Sequence, residues 1–488
     1  MPSFDIEEIQ EVTSCATISP YSENLVEFTV PPEHVGKTVA VVTFGCAHNQ
    51  ADSEHIMGVL SLFQFNVLDI NPKQNYDQLS SADCVIVNSC TVVDISENNF
   101  YRCVREVKEM GKPLVVAGCV SQTSSKDNRL KNVVNIGTDN QDQAAVAVVA
   151  ALTNTPFVAL KHRSKHSVKE GSCSNSLSVV SRRRHPNIEI IAVCQGCRSF
   201  CTYCKTREAR GPLVSYPPRV LVSRVVDAAK RGAVEVWLTG EDVGAYGLDF
   251  DEPFDLVDLL QLMITELIGL NCRLRVGHSN PQHIRRILPK IIESGVYTSK
   301  SLFKFLHLPL QSGSDTVLEA MKRDHDSKDW IESAMALKEL EVTLSTDIIV
   351  GFPGETDEHH AETFNVLKTV LPPFMNVTNF FPRPGTPAFK MPRVYHGTVK
   401  NRSRELHNWM MTCSPLRHLL GSRVVCFVYG PAHDGVSTAA HTIDYFQVLV
   451  SETFPAGTIL NVEIVEVTRW HAKGKVIETI SFDDYLAL

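Results

Sequence analysis

The sequence predicts a three-part α/β protein: an open parallel α/β sheet at the N-terminus, a central partial (β/α)6 barrel, and a small antiparallel β-barrel at the C-terminus. Three observations predict it. Short β-rich runs alternate with helix-length runs over about 36–152 and again over 188–395, the pattern of parallel strands joined by crossover helices. Past residue 421 the runs are β-rich only, bounded by Gly, Pro and Asp turns. A chain of 488 residues holds about three domains at the usual ~150 residues each.

In the first part, Val39–Phe44, Cys84–Asn88, Leu114–Ala117 and Val133–Ile136 read as strands, with helices at Ala51–Phe63, Ile95–Met110 and Gln141–Leu152. In the second, strands at Ile188–Val193, Val234–Leu238, Arg273–Val276, Lys304–Leu308, Thr343–Val350 and Met375–Phe381 alternate with helices. Six such units make a barrel open on one side, whose function belongs at the carboxyl ends of its strands. A helix over Lys400–Leu420, within a 396–420 connector, leads to strands at Arg423–Tyr429, Tyr445–Val450, Ile459–Thr468 and Lys475–Ser481 in a 421–488 domain.

Composition narrows the function classes. A formal net charge of −8 excludes a globally basic nucleic-acid binder, so any polyanion site must be a local patch. The clearest such patch is the 153–187 linker: Lys161–Pro186 carries seven Lys or Arg residues against the single acid Glu170, including Arg182-Arg183-Arg184. It reads equally as a solvated linker or a phosphate contact. Residues 1–35 read as a flexible leader with no secretory character, and no apolar run reaches the ~18–20 residues that span a bilayer. A cytoplasmic location without a membrane segment is expected. Fourteen cysteines are too few for a disulfide scaffold in a chain this long, and their clustering points to metal chemistry in a reducing compartment.

The cluster is Cys197, Cys201 and Cys204, spaced C-x3-C-x2-C directly after a strand. Three thiolates this close converge on one point, and an iron–sulfur cube held by three cysteines keeps one iron open for a ligand. Zinc instead closes four positions, and Cys194 offers the fourth thiolate such a knuckle needs. Three more cysteines stand out by position. Cys46 follows TVAVVTFG, Cys90 follows CVIVNS and Cys119 follows PLVVAG, each just past the carboxyl end of a strand, where open α/β sheets bind ligands. Free cysteine is often plain packing, as Cys84 and Cys103 are expected to be, but repeated strand-end placement favours a shared metal site for these three. In the central part, Thr239–Asp242, His278–Asn280, His307, Gln311 and Gly351–Gly354 also fall at strand ends, on the rim where Cys197–Cys204 lies.

The cysteine loop resembles the signature of the radical S-adenosylmethionine (SAM) superfamily. TFGCAHNQADSE, VIVNSCTV and VVAGCVSQ, then CTYCKTREARG, WLTGEDVGAYG, LHLPLQSGSDTVLEAMKR, STDIIVGFPGET and NFFPRPGTPAFKMP, resemble the tRNA methylthiotransferases of that superfamily. The wording lies closest to the eukaryotic and archaeal branch, which acts on N6-threonylcarbamoyladenosine beside the anticodon. The resemblance implies two 4Fe-4S clusters, one on Cys46, Cys90 and Cys119 carrying the inserted sulfur, one on Cys197, Cys201 and Cys204 cleaving SAM to a radical. It implies SAM contacts at Glu241, Ile349 and Gly351, with Gln311 and Arg323 as further candidates. It implies tRNA as substrate, an electron donor of flavodoxin- or ferredoxin-like type, a sulfur donor, and a TRAM-like RNA-binding tail. In that tail Arg469, Trp470, His471, Lys473 and Lys475 read as a basic stripe with one aromatic for stacking. Some eukaryotic members end in a membrane-anchoring helix, which is not expected here. Asp347 and His278 depart from the superfamily's usual residues. Two rival readings share these features: a ribosomal-protein methylthiotransferase, and a zinc-stabilised RNA-binding protein without catalysis.

Overall fold

The computed structural model describes residues 28–91, 94–162 and 181–487. The expected leader up to residue 27 and the basic run over 163–180 lie outside the described residues.

The N-terminal sheet holds β1 (Thr38–Thr43), β2 (Asn66–Ile70), β3 (Cys84–Ser89), β4 (Leu114–Ala117) and β5 (Val134–Gly137), all parallel, in the order β2-β1-β3-β4-β5. Alternation along β1 explains its two cores. Val39 and Val41 pack under the helices Ala47–Leu62 and Ala144–Leu152, while Ala40 and Val42 face the helix Asp94–Glu109. The strand order reverses between β1 and β3, which opens a crevice at their carboxyl ends. β2 escaped the sequence reading because it is an edge strand, half polar and only partly buried.

The central half-barrel begins at β6 (Ile188–Ala192). A two-residue ribbon of β7 (Cys194–Gln195) and β8 (Val214–Ser215) then ties off the loop that carries Cys197, Cys201 and Cys204. Five more parallel strands follow: β9 (Glu235–Thr239), β10 (Arg273–Val276), β11 (Phe305–His307), β12 (Thr343–Val350) and β13 (Phe374–Asn379). They run β6-β9-β10 and β11-β12-β13, joined by bridges at Leu274–Leu302 and His278–His307. The outward face of these strands and the surrounding helices form one apolar core. The connecting helix is shorter than expected, His396–Thr412, and gives way before Pro415.

The tail is a closed barrel of β14 (Arg423–Pro431), β15 (Thr438–Thr442), β16 (Gln447–Val450), β17 (Ile459–Val467) and β18 (His471–Ile480). Four of its pairings are antiparallel, and the β16–β18 pair is parallel. β15 was not foreseen because its small residues, Thr-Ala-Ala-His-Thr, lack β-branched bulk.

The two outer domains occupy opposite ends of the half-barrel. The tail caps the amino ends of the strands: His441 lies 2.7 Å from Glu235, Phe427 lies under Arg273, and Ile443 accepts from the Lys304 amide. The N-terminal domain meets the carboxyl ends, where Asp52, His48 and Thr91 contact Arg210, Glu241 and Arg383.

Candidate functional site

Cys46, Cys90 and Cys119 follow β1, β3 and β4, three adjacent strands at the point where the sheet order reverses. Cys46 caps the helix Ala47–Leu62, and Cys119 lies in the short helix Gly118–Thr123. Close approach is built in by glycine. A Cβ on Gly45 would stand 2.4 Å from the Cys90 Cβ, and one on Gly118, at φ +85°, 2.4 Å from the Ser89 carbonyl. The Cys46 and Cys90 thiols are hydrogen-bonded, and the charge of Cys46 bears on Cys119. The hydrogen bond from Cys90 leads the causes that hold Cys46 at about 6, where burial opposes it and the charges of Arg210 and His48 assist. Burial pushes Cys119 up to about 11, against the pull of Arg210.

The second triad sits on a loop pinned to the rest of the half-barrel. The Thr202 amide donates to the Met321 carbonyl at 3.0 Å, and the Ala388 amide to the Thr202 carbonyl at 2.9 Å. Amides of Ser199 and Thr206 donate to the sulfurs of Cys197 and Cys204 at 3.4 and 3.3 Å. Arg323 Nη1 donates to Cys201 Sγ at 3.3 Å, with Nη2 on Asn280 at 2.7 Å. Burial pushes Cys197 up to about 12 and raises Cys204, each under the field of the other thiols. Cys194 takes no part in this loop: its thiol donates to the Asp242 carbonyl at 3.6 Å, against Gly240. That leaves the zinc reading without its fourth thiolate. Among the described residues no three His, Cys, Asp or Glu are drawn together tightly enough for a metal ion. An iron–sulfur cube is wider than an ion and takes its thiolates from farther apart.

Glu241, at the end of β9, joins the two halves. Its Oε1 lies 2.9 Å from His48 Nδ1 and 3.1 Å from Arg210 Nε, and its Oε2 is buried without a partner. An orphaned carboxylate oxygen suits an ammonium group, which is what the expected SAM contact requires. Its carboxyl is held below the usual range: burial pushes up, and the charges of His48 and Arg210 override it.

The remaining expected contacts fall as follows. Arg323 is engaged with Cys201 and Asn280. Gln311 takes φ +69° and bridges β12 through its backbone, donating to the Asp347 carbonyl and accepting from the Ile349 amide. Ile349 packs beside Tyr203 of the cysteine loop and Phe352. At Gly351 the space is taken by the connecting helix, since an added Cβ would meet Val399 at 2.4 Å. Asp347 pairs with His307 at 2.9 Å and Asn376 at 2.9 Å, and its carboxyl falls to about 2 because these partners outweigh burial. The His307 and His278 rings meet edge to face at 5.3 Å.

Within the two expected basic features several charges meet acids, and residues 163–180 of the linker lie outside the described residues. Arg184 forms a bidentate pair with Asp69, and Arg183 holds the buried Glu189 and two carbonyls near Arg231, so neither is available to a phosphate. In the tail Lys473 pairs with Glu466 at 3.0 Å, Lys475 stands opposite Glu463 and the Arg469 guanidinium is buried, while Trp470, Lys473 and Lys475 are exposed. The sequence listing of charges could not see these cross-strand acids.

Residues 191–367 match the model of the Radical SAM superfamily, and residues 38–136 match Uncharacterized protein family UPF0004. The threonylcarbamoyladenosine tRNA methylthiotransferase of Drosophila melanogaster is 36% identical over 444 residues, 90% of this chain and 78% of that protein. The human protein of that name is 35% identical over 439 residues, 89% of this chain and 73% of that protein. The chain belongs to the threonylcarbamoyladenosine tRNA methylthiotransferase family. Family likeness reaches the archaea: a probable member from Archaeoglobus fulgidus is 35% identical over 76% of this chain and 83% of its own. Among solved structures, the radical SAM methyltransferase TsrM from Kitasatospora setae, with cobalamin and a [4Fe-4S] cluster bound, matches at TM-score 0.53 and 13% identity. The match covers 72% of this chain and 74% of that one, and supports the fold alone.

His48, Asp52 and Arg210, which the structure gathers around Glu241 at the domain boundary, carry no role in the sequence analysis. The strings TFGCAHNQADSE and CTYCKTREARG contain all three, although the resemblance gives a role only to their cysteines.

Proposed function

We propose that this chain is a radical SAM methylthiotransferase that converts N6-threonylcarbamoyladenosine beside the anticodon of tRNA to its 2-methylthio derivative. Sustained identity to enzymes of that name over about nine-tenths of the chain carries the reading. In it, Cys46, Cys90 and Cys119 hold one 4Fe-4S cluster and Cys197, Cys201 and Cys204 the other. The clusters and SAM supply the radical chemistry that an unactivated aromatic C–H bond demands, which no side-chain base provides.

The chain's own residues position and shield. Arg323 and the amides of Ser199 and Thr206 donate to the loop sulfurs and fix their orientation. Glu241 offers its unpaired Oε2 to the SAM ammonium, while Ile349 and Tyr203 give an apolar wall. The contacts of Asp52, His48 and Arg383 across the domain boundary keep the two triads in register. Gln311 and Gly351 serve as backbone supports on the same rim. The division at 36–152, 188–395 and 421–488 belongs to this reading, as do a flavodoxin- or ferredoxin-like reductase, a separate sulfur donor and a cytoplasmic setting. Among the described residues no helix is long and apolar enough to cross a membrane. Nucleoside analysis of tRNA from a deletion strain tests the proposal: the 2-methylthio derivative should vanish and its threonylcarbamoyl precursor accumulate. An unchanged level overturns it and leaves a ribosomal-protein substrate.

A further inference from the structure

An arginine stands near each cysteine triad. Arg323 serves Cys201 and lies on the same rim as its partner. Arg210 is the unexpected one. It ends the helix Thr206–Arg210, which starts two residues after Cys204, yet its guanidinium pairs with Asp52 on the helix that Cys46 caps. Its helix packs against Gly118–Thr123, which carries Cys119, and its charge bears on both Cys119 and Cys46. It is 2% exposed, a costly place for a charge unless partners are supplied. Two are: Asp52 accepts from Nη2 at 2.6 Å, and Glu241 Oε1 lies 3.1 Å from Nε. The remaining nitrogen, Nη1, is buried with no partner.

Reduction potentials of iron–sulfur clusters follow net charge and hydrogen bonds to the sulfurs. A buried cation beside a cluster stabilises the added electron, and a buried carboxylate opposes it, both strongly where water is excluded. Building on the two-cluster reading above, we propose that Arg210 is a positioning residue that sets the reduction potential of the cluster held by Cys46, Cys90 and Cys119, with Glu241 as its counterweight. Because Glu241 is also the expected SAM contact, one ion pair then links the potential of the N-terminal cluster to the rim of the half-barrel. The pairing of Arg210 with Asp52 fixes where the guanidinium stands, and its buried Nη1 keeps a donor still to give.

The test is an anaerobic, EPR-monitored redox titration without SAM, on holoprotein carrying one cluster at a time. Cys201→Ala isolates the N-terminal cluster and Cys46→Ala the loop cluster. Adding Arg210→Gln should move the N-terminal cluster to a more negative potential, Arg210→Lys should recover part of the shift, and the loop cluster should stay put. Glu241→Gln should move the N-terminal cluster the opposite way. Unchanged potentials in these variants, or equal shifts in both clusters, overturn the assignment. Should Arg210→Gln fail to retain its cluster, the Glu241→Gln arm decides: a rise supports the proposal, and no change refutes it. Iron counts on the unmutated chain keep the two readings apart, since a single-cluster protein sinks the function and not merely this inference.

Discussion

In the proposed reading the two cysteine triads hold the same kind of cluster by opposite means. The loop triad is local: three thiols within eight residues, tied off by a two-residue ribbon and fed by backbone amides. The strand-end triad is assembled from three crossover units, and its geometry depends on the whole sheet and on Gly45 and Gly118. Their electrostatics differ too. Cys46 is poised as a thiolate near neutrality, whereas burial holds Cys197 and Cys204 protonated until a metal displaces the proton. A locally encoded site survives damage to its neighbours, and a fold-encoded one does not.

The sharpest way to break this comparison is to remove one cysteine from each triad. Cys201→Ala should abolish both reductive SAM cleavage and methylthio transfer, while Cys46→Ala should abolish transfer and leave cleavage detectable by deoxyadenosine release. Equal loss of both activities in a folded Cys46→Ala protein contradicts separate roles. Thiol chemistry of the metal-free chain comes next. Thiolate is the reactive form, so alkylation of Cys46 should rise with pH to half its maximum near 6, and that of Cys197 only near 12. At pH 7 mass-spectrometric mapping should find Cys46 modified at least ~100-fold faster. Similar rates would remove the electrostatic distinction.

A smaller effect is expected at the residue between the triads. Glu241→Gln should weaken SAM binding by about 1.5–3 kcal/mol, or roughly 10- to 150-fold, in anaerobic equilibrium dialysis. Unaltered affinity would take Glu241 out of the site. The smallest effect concerns Glu54, on the helix that Cys46 caps. Burial raises its carboxyl to about 8, although the Arg184 amide donates to Oε1 at 3.0 Å. The folded state therefore binds this proton more tightly than the unfolded one, so its contribution to stability is present below about pH 4.5 and is lost as pH rises towards 8. Glu54→Gln should flatten that loss, a difference of roughly 1–3 kcal/mol between pH 5 and 9 by urea unfolding. Parallel pH profiles for the two proteins would contradict it.

How much of this was legible in the sequence follows the same division. The placement of Cys197, Cys201 and Cys204 on one loop was legible from spacing, and that of Cys46, Cys90 and Cys119 at neighbouring strand ends from the recurrence of Cys after β-rich runs. Strand positions in the half-barrel followed from apolar periodicity, which burial enforces. What stayed hidden depends on contacts between distant residues. Arg210 lies next to one triad in sequence and pairs in space with Asp52, on the helix that Cys46 of the other triad caps. The Arg182–Arg184 run looked like a phosphate patch until folding brought Asp69 and Glu189 to it. The tail's basic stripe likewise met Glu463 and Glu466 across a strand pair. β2 and β15 lacked the bulk or apolar continuity that marks a strand.

The central claim is that two separate triads each hold a four-iron cluster. Iron content after anaerobic purification and reconstitution tests it most directly. The unmutated chain should be brown with about eight irons, and the Cys46→Ala, Cys90→Ala, Cys119→Ala triple variant should keep about four. A colourless zinc protein, or a triple variant with as much iron as its parent, would contradict the account.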